Sequence, residues 1–251
     1  MRRKWGIIPA AGNGTRIQPL AFSKELLPVG SSVDGIVERP RAVSEYVIDR
    51  MRMAGATNIC IVVSPGKLDI IKYYGNNFQN IPICYIIQQN PSGICDAIFK
   101  AIPLIDDDDT VMVGLPDTVW FPEDGFGRLN DELFSFLLFP VDKPEFYDAV
   151  KVDQSGNVRR IIVKQLGVTE LLIWGAFKMP GKIYKSLFNL WEKREPKVEY
   201  FGTLVNEYLQ GGGGAVGVAD GVSYVDVGTI NGYREALQLL IKREKTVNKI
   251  V

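Results

Sequence analysis

The stretch that decides the fold of this chain is Trp5-Gly6-Ile7-Ile8-Pro9-Ala10-Ala11-Gly12-Asn13-Gly14-Thr15-Arg16-Ile17-Gln18-Pro19. Its first residues, Trp5 to Ile8, are apolar and predict a short buried strand. The residues that follow are small and include Gly12 and Gly14, so backbone N–H groups of this turn can approach an anion without obstruction by side chains. A strand that leads into such a turn predicts a phosphate-binding loop.

Two cations follow this loop in the sequence. Arg16 comes directly after the glycines, and Lys24 lies in the segment Ser23-Lys24-Glu25-Leu26-Leu27-Pro28-Val29-Gly30. A guanidinium binds phosphate oxygens as a planar fork, whereas an ammonium acts as a point charge. The pair therefore suits a bound polyphosphate.

Two better-known glycine motifs are excluded by their spacing. The dinucleotide fingerprint G-x-G-x-x-G/A needs a small third residue, where this chain has the large Ile17. The phosphate loop of ATPases needs a lysine directly after its last glycine, but Gly14 is followed by Thr15. The loop therefore belongs to neither of these classes.

The composition is that of a soluble globular protein without a dominant charge. The chain has 251 residues, 46% hydrophobic and 23% charged, enough to bury the core of one large domain. Lys plus Arg and Asp plus Glu both number 29, so no overall field favours nucleic acid or an acidic membrane. The three cysteines match no metal-site spacing. We expect a cytoplasmic protein without nucleic-acid or membrane partners; a homo-oligomer is compatible with this sequence.

Histidine is absent from the chain. This absence removes the commonest general base and every Ser/His or Cys/His catalytic pair. Any catalysis must therefore rely on other groups.

Strands and helices alternate along the first half. Buried strands are predicted at Asn58–Ser64, Ile83–Ile87 and Thr110–Leu115, with helices at 42–54, 67–74 and from Ile94 to about Ala101. This order predicts a doubly wound, mostly parallel central sheet, whose ligands gather at the carboxyl ends of the strands. The segments Gly12–Arg16 and Gln88–Gly93 and the residue Asp117 all follow such strand ends.

The second half predicts a smaller, β-rich part. Strands are expected at Leu133–Phe139, Leu171–Phe177 and around Ser223–Thr229, and a hairpin is expected from Ala149–Asp153 and Val158–Val163. Helices are expected at 182–193, 203–210 and 231–245. We expect one domain over residues 1–251, with a first half to about residue 130, a second half to about 230 and a C-terminal helix over about 231–251.

Two aspartates close apolar strands far apart in the sequence, Asp117 and Asp226. A buried carboxylate is costly unless it is paired or bound to a metal, so the two predict a Mg²⁺ site that bridges to phosphate oxygens. Each could instead be an ordinary turn residue at a strand end. The run Asp106–Asp109 is interpreted as a solvated loop.

The motif G-x-G-T-R-x-x-P, followed by K-x-x-L-P, spans Gly12–Pro19 and Lys24–Pro28. At these residues the chain resembles the sugar-phosphate nucleotidyltransferases, in particular the glucose-1-phosphate thymidylyltransferases, and the resemblance extends from Trp5 to about Leu240. It implies a Rossmann-like nucleotide-diphospho-sugar transferase fold, Mg²⁺ as cofactor, and dTTP or UTP with a sugar 1-phosphate as substrates.

The resemblance also implies a role for each matching residue. Arg16 and Lys24 would be catalytic, and Asp117 and Asp226 would hold the metal. The sugar phosphate would be bound by Lys164 and Gly175, although a bare surface lysine is the simpler reading of Lys164. The nucleotide would be bound by Ala11, Gly12, Gly14, Thr15, Gln88 and Gly93.

Gln88 also has its own chemical argument. Its amide donates and accepts at once, which suits the imide edge of thymine or uracil. An exposed turn glutamine is the alternative.

One segment departs from the family pattern. The thymidylyltransferases carry Glu-Glu-Lys-Pro where this chain has Ile162-Val163-Lys164-Gln165. The carboxylate that would accept hydrogen bonds from sugar hydroxyls is therefore missing from this segment, and the sugar stays open.

The expected reaction is nucleotidyl transfer to a sugar 1-phosphate, with glucose 1-phosphate as the first candidate and pyrophosphate as the leaving group. Two alternatives stay open at this point. One is a cytidylyltransferase that acts on another phosphorylated sugar or alcohol. The other is a non-catalytic regulatory subunit that binds a sugar nucleotide.

Overall fold

The structure is a computed structural model that describes residues 2–90, 92–197 and 200–247. Its strands are β1 (Lys4–Pro9), β2 (Pro28–Asp34), β3 (Val37–Ala42), β4 (Asn58–Val63), β5 (Asn77–Phe78), β6 (Ile81–Ile87), β7 (Thr110–Gly114), β8 (Thr118–Phe121), β9 (Ser135–Pro140), β10 (Asp148–Val152), β11 (Val158–Val163), β12 (Leu172–Pro180), β13 (Val216–Val218) and β14 (Ser223–Asp226). Its α-helices are α1 (Val43–Met53), α2 (Leu68–Tyr74), α3 (Ile94–Phe99), α4 (Gly181–Glu192), α5 (Phe201–Gln210) and α6 (Ile230–Val247).

Four parallel strands form the centre of the molecule, in the order β7-β1-β4-β6. Their apolar runs are buried on both faces, as expected for a parallel sheet covered by helices. Ile7 belongs to a core cluster shared with α3, α4 and α5, whereas its neighbour Ile8 belongs to the cluster shared with α1 and α2. Helices thus cover both faces, and the predicted doubly wound, mostly parallel fold is confirmed.

The same sheet continues into the second half with antiparallel strands. β12 pairs with β7 and with β9, and β10 joins β12 to the edge strand β11. The sheet therefore crosses the expected boundary near residue 130 without a break. The carboxyl ends of the parallel strands and the β10–β11 hairpin consequently belong to one continuous sheet.

A separate two-stranded sheet carries part of the site. β8 and β14 pair antiparallel, with Asp226 opposite Thr118, and the N–H of Val227 donates to the carbonyl of Asp117 at 2.8 Å. This pairing places the end of β14 beside the end of β7, although the two are far apart in the sequence.

Sequence reasoning missed five strands: the short strands β5, β8 and β13, and the hairpin of β2 and β3. β5, β8 and β13 have only two, four and three residues, too few to show the alternation typical of a strand. The hairpin strands are largely exposed and carry polar and charged residues, so they lack an apolar face. The other predicted elements differ from the observed ones mainly at their ends, and residues 248–251 and Pro91 lie outside the described residues.

In the described part of the chain, no helix is long and apolar enough to span a membrane.

Candidate active site

Two ion pairs bring together the charged residues that the sequence singled out. Nη2 of Arg16 donates to Oδ2 of Asp226 at 3.1 Å, and Nζ of Lys24 pairs with Oδ2 of Asp117. A Cβ placed on Gly228 would lie within 3.4 Å of Asp226 Oδ1, Arg16 Nη2 and Asp117 Oδ2. Both carboxylates and the guanidinium thus surround one point next to the glycine loop.

The two carboxylates differ in their affinity for protons. Burial acts to raise the pKa of Asp117, but the charge and hydrogen bond of Lys24 outweigh it, so the pKa is lowered. Burial, and then the charge of Asp117, raise the pKa of Asp226 above its usual value. A cation between the two would relieve that repulsion.

This donor set fits Mg²⁺ as the partner of a nucleotide. Mg²⁺ is usually held by one or two carboxylates, with phosphate oxygens and waters in its other positions. Among the described residues, no group of three or more His, Cys, Asp or Glu side chains could hold a metal alone. Asp117 and Asp226 would therefore hold the ion only together with a phosphate ligand.

The glycine loop has unused hydrogen-bond donors. Within the described parts of the chain, no acceptor is recorded for the backbone N–H groups of residues 11–16. Free backbone donors in succession form an anion-binding concavity. Ala11 is buried, whereas Gly12, Thr15 and Arg16 are exposed, so the loop faces solvent beside the paired carboxylates.

The buried side chain of Lys67 donates hydrogen bonds to the glycine loop. Nζ of Lys67 donates to the carbonyls of Ala10 and Gly12, at 2.7 and 2.6 Å, and to Oε1 of Glu25 at 2.7 Å. Glu25 is 1% exposed. Burial is the main cause that raises the pKa of Glu25 and lowers that of Lys67. Lys67 therefore fixes loop carbonyls on the side away from solvent.

The side chain of Lys24 packs against Gly14 and leaves no room for a side chain at that position. Gly14 has φ of +63°, and a Cβ there would lie 2.7 Å from Cδ of Lys24. We expect Gly14→Ala to lower the free energy of unfolding by about 1–2 kcal/mol, because an L-residue is strained at this φ. Urea unfolding measures this change.

Gly12→Ala is the matched control, since a Cβ on Gly12 meets nothing within 4 Å. Equal stability of the two variants would contradict the role given to Gly14.

Behind the ion pairs lies a cavity of about 280 Å³. Lys164 lines it, with φ of 41° and Nζ 4.8 Å from the ring centroid of Tyr200. The described residues that line the cavity are Arg16, Ile94, Leu115, Asp117, Thr118, Phe146, Tyr147, Asp148, Lys164, Trp174, Tyr200, Phe201, Tyr224 and Asp226. The cavity therefore connects the carboxylate pair to Lys164.

Of the eight residues expected to bind substrate, Lys164 alone is among the described residues that line this cavity. The loop residues Ala11, Gly12, Gly14 and Thr15 lie outside its lining, and so do Gln88, Gly93 and Gly175. Gln88 is 1% exposed, so it is not an exposed turn residue, and its Nε2 donates to Oδ2 of Asp96 at 2.5 Å. Gly93 has φ of 93° and precedes α3. A Cβ on Gly175 would lie 2.6 Å from Cε2 of Tyr224, so this glycine lets a lining ring pack closely.

Sequence reasoning also missed residues of the site. Lys67 follows the carboxyl end of β4, so the rule that led to Asp117 could have found it. Asp148 and the aromatic residues of the cavity carried no motif. Their participation depends on strand register, which a single sequence does not provide.

The chain thus combines a Rossmann-like sheet with a glycine loop of free backbone donors and two facing carboxylates, an arrangement typical of α/β proteins that bind nucleotides. The sequence model of the Nucleotidyl transferase family matches residues 5–243, so the chain belongs to that family. It is 27% identical to glucose-1-phosphate thymidylyltransferase of Mycolicibacterium smegmatis, over 92% of this chain and 80% of that protein.

Other relatives match only in part. The chain is 29% identical to the low-salt glycan biosynthesis nucleotidyltransferase Agl11 of Haloferax volcanii, over 63% of this chain and 44% of that protein. Several of the relatives it matches are thus covered over less than half of their length. Among solved structures, UTP-bound UGPase from Acinetobacter baumannii superposes over 100% of both chains with a TM-score of 0.77 at 19% identity, which shows a shared fold.

Proposed function

We propose that the protein transfers a nucleotidyl group from dTTP or UTP to a sugar 1-phosphate, with glucose 1-phosphate as the first candidate. The observation that carries this proposal is the run of unpaired N–H groups at residues 11–16, flanked by Arg16 and Lys24. Such a site binds a triphosphate through backbone donors and neutralises its charge with the two cations. The names of the thymidylyltransferase and UGPase relatives support the same reaction.

The reaction requires positioning and charge neutralisation rather than proton transfer. The phosphate of the sugar 1-phosphate is already an anion, so it can attack the α-phosphorus without a general base, in agreement with a chain that lacks histidine. Arg16 and the loop would hold the triphosphate, Lys24 would neutralise charge at the α-phosphate, and Lys164 would hold the acceptor. When bound by Asp117 and Asp226, Mg²⁺ would supply further neutralisation of phosphate charge.

Pyrophosphate release tests the proposal. The purified protein is assayed with dTTP, UTP and CTP against a panel of sugar 1-phosphates, with and without Mg²⁺. We expect release with a thymine or uracil nucleotide and an aldose 1-phosphate, and its loss when EDTA removes the metal.

Preference for CTP with another phosphorylated alcohol or sugar would favour a cytidylyltransferase. Binding of a sugar nucleotide without any pyrophosphate release would favour a regulatory subunit.

A further inference from the structure

Asp148 is a carboxylate in the cavity that no part of the proposed reaction uses. It is the first residue of β10 and lines the cavity together with Lys164. Nε1 of Trp174 donates weakly to its Oδ2 at 3.4 Å. Its other oxygen, Oδ1, is buried and has no hydrogen-bond partner among the described residues. A carboxylate oxygen in that condition is costly to the free protein.

No cation of the described chain neutralises this carboxylate within ion-pair distance. Burial raises the pKa of Asp148, and it outweighs the hydrogen bond from Trp174, the charge of Lys164 and the backbone N–H of Gly202, which each lower it. Nζ of Lys164 instead lies over the ring of Tyr200. Asp148 is only partly buried and lines the cavity, so its carboxylate is placed to accept hydrogen bonds from a ligand there.

The strand register explains how this carboxylate relates to the segment that departs from the family pattern. Asp148 pairs directly with Val163, the residue before Lys164. Directly opposed residues of an antiparallel pair project to the same face. A Cβ on Gly202 would lie 3.0 Å from Oδ2 of Asp148 and 2.9 Å from Cγ2 of Val163, so both side chains meet the same neighbour. Val163 stands where the thymidylyltransferases carry a glutamate. The carboxylate of Asp148 lies directly opposite this residue, on the neighbouring strand.

We propose that Asp148 selects the acceptor by taking hydrogen bonds from hydroxyl groups of its sugar ring. This inference rests on the proposed function and names its substrate class: a sugar 1-phosphate whose ring carries free hydroxyl groups. The aromatic lining by Tyr147, Trp174 and Tyr224 suits the apolar faces of a sugar ring, with the few polar groups fixing its orientation.

The test combines Asp148→Asn with deoxy analogues of the best sugar 1-phosphate. The variant keeps the shape of the side chain and removes its charge. We expect its KM for the sugar phosphate to rise about 10- to 100-fold, as for the loss of a charge-assisted hydrogen bond, while its KM for the nucleotide changes less than twofold. The parent should lose a similar factor with one deoxy analogue, and the variant should bind that analogue no worse than the full sugar.

Asp142→Asn is the matched control, because Asp142 is exposed, precedes the same strand and does not line the cavity. It should behave as the parent. Thermal unfolding of Asp148→Asn at pH 7 should show no loss of stability, since the folded protein disfavours the ionised carboxylate that the substitution removes.

Calorimetric titration with dTDP-glucose and UDP-glucose separates this inference from the proposed function, because binding needs no turnover. Binding that weakens in Asp148→Asn, without pyrophosphate release by the parent, would sustain the role of Asp148 and refute the proposed reaction. An unchanged KM and an unchanged analogue pattern in the variant would overturn the inference. So would an equal loss of nucleotide affinity, or a parent protein that binds neither sugar phosphate nor nucleotide sugar.

Discussion

Asp117→Asn is expected to lower the rate of pyrophosphate release by about 10²–10³, comparable to the loss of one preorganised charge-stabilising group. The substitution removes the partner of Lys24 and one of the two carboxylates proposed for Mg²⁺. Since asparagine has nearly the same shape, and the backbone carbonyl of residue 117 still accepts from Val227, the fold should persist. Steady-state assays over a range of Mg²⁺ concentrations measure the loss, and circular dichroism verifies folding.

Asp108→Asn is the control for this variant. Asp108 lies at the opposite end of β7 and should leave the rate unchanged. It is exposed together with Asp106 and Asp107, as predicted for a solvated loop, whereas Asp109 of the same run is buried against Arg3, contrary to that prediction. A rate near that of the parent in Asp117→Asn, under conditions where Asp108→Asn is also active, would refute the role given to Asp117.

The sequence predicted that Arg16 and Asp226 lie close together, but the structure brings them together in a way that the prediction only partly described. The rule that ligands gather at the carboxyl ends of parallel strands placed the loop and Asp117 correctly. Asp226, however, lies on β14, which is outside the central sheet and reaches the site by pairing with β8. Because β8 has only four residues, no periodicity could reveal that pairing.

The residues that sequence reasoning missed have a common physical origin. Lys67 and Glu25 interact only because the loop, the segment after it and the end of β4 fold together, and nothing in their local sequence indicates burial. Asp148 depends on the register of β10 against β11, and a shift by one residue would turn its side chain to the other face. Motifs predict backbone loops well, whereas buried ion pairs and cross-strand partners require the three-dimensional structure.

Lys67→Met is expected to destabilise the protein by about 3–5 kcal/mol, because it breaks a buried ion pair and leaves one charge without its partner. Methionine fills a similar volume, so the loss is electrostatic rather than steric. Oε2 of Glu25 already lacks a partner among the described residues, and the variant would leave Oε1 without Nζ of Lys67 as well. The carbonyls of Ala10 and Gly12 would also lose their donor, so nucleotide affinity should fall. Urea unfolding and nucleotide titration measure the two effects.

The pH dependence of the loss identifies its cause. Without Lys67, the pKa of Glu25 rises further above its usual value, so the folded state binds a proton that the unfolded state has released. The stability deficit of the variant relative to the parent should then grow as the pH rises from the Glu25 pKa of the folded parent, itself raised by burial, towards the higher Glu25 pKa of the folded variant, and it should shrink in acid. Adding Glu25→Gln to Lys67→Met should recover much of the stability, because no charge then stays buried alone. Lys72→Met is the control, because Lys72 is an exposed lysine of α2, and it should change the unfolding free energy little. Equal destabilisation by Lys72→Met and Lys67→Met would show that the buried ion pair does not stabilise the loop. A double variant no more stable than Lys67→Met would show the same.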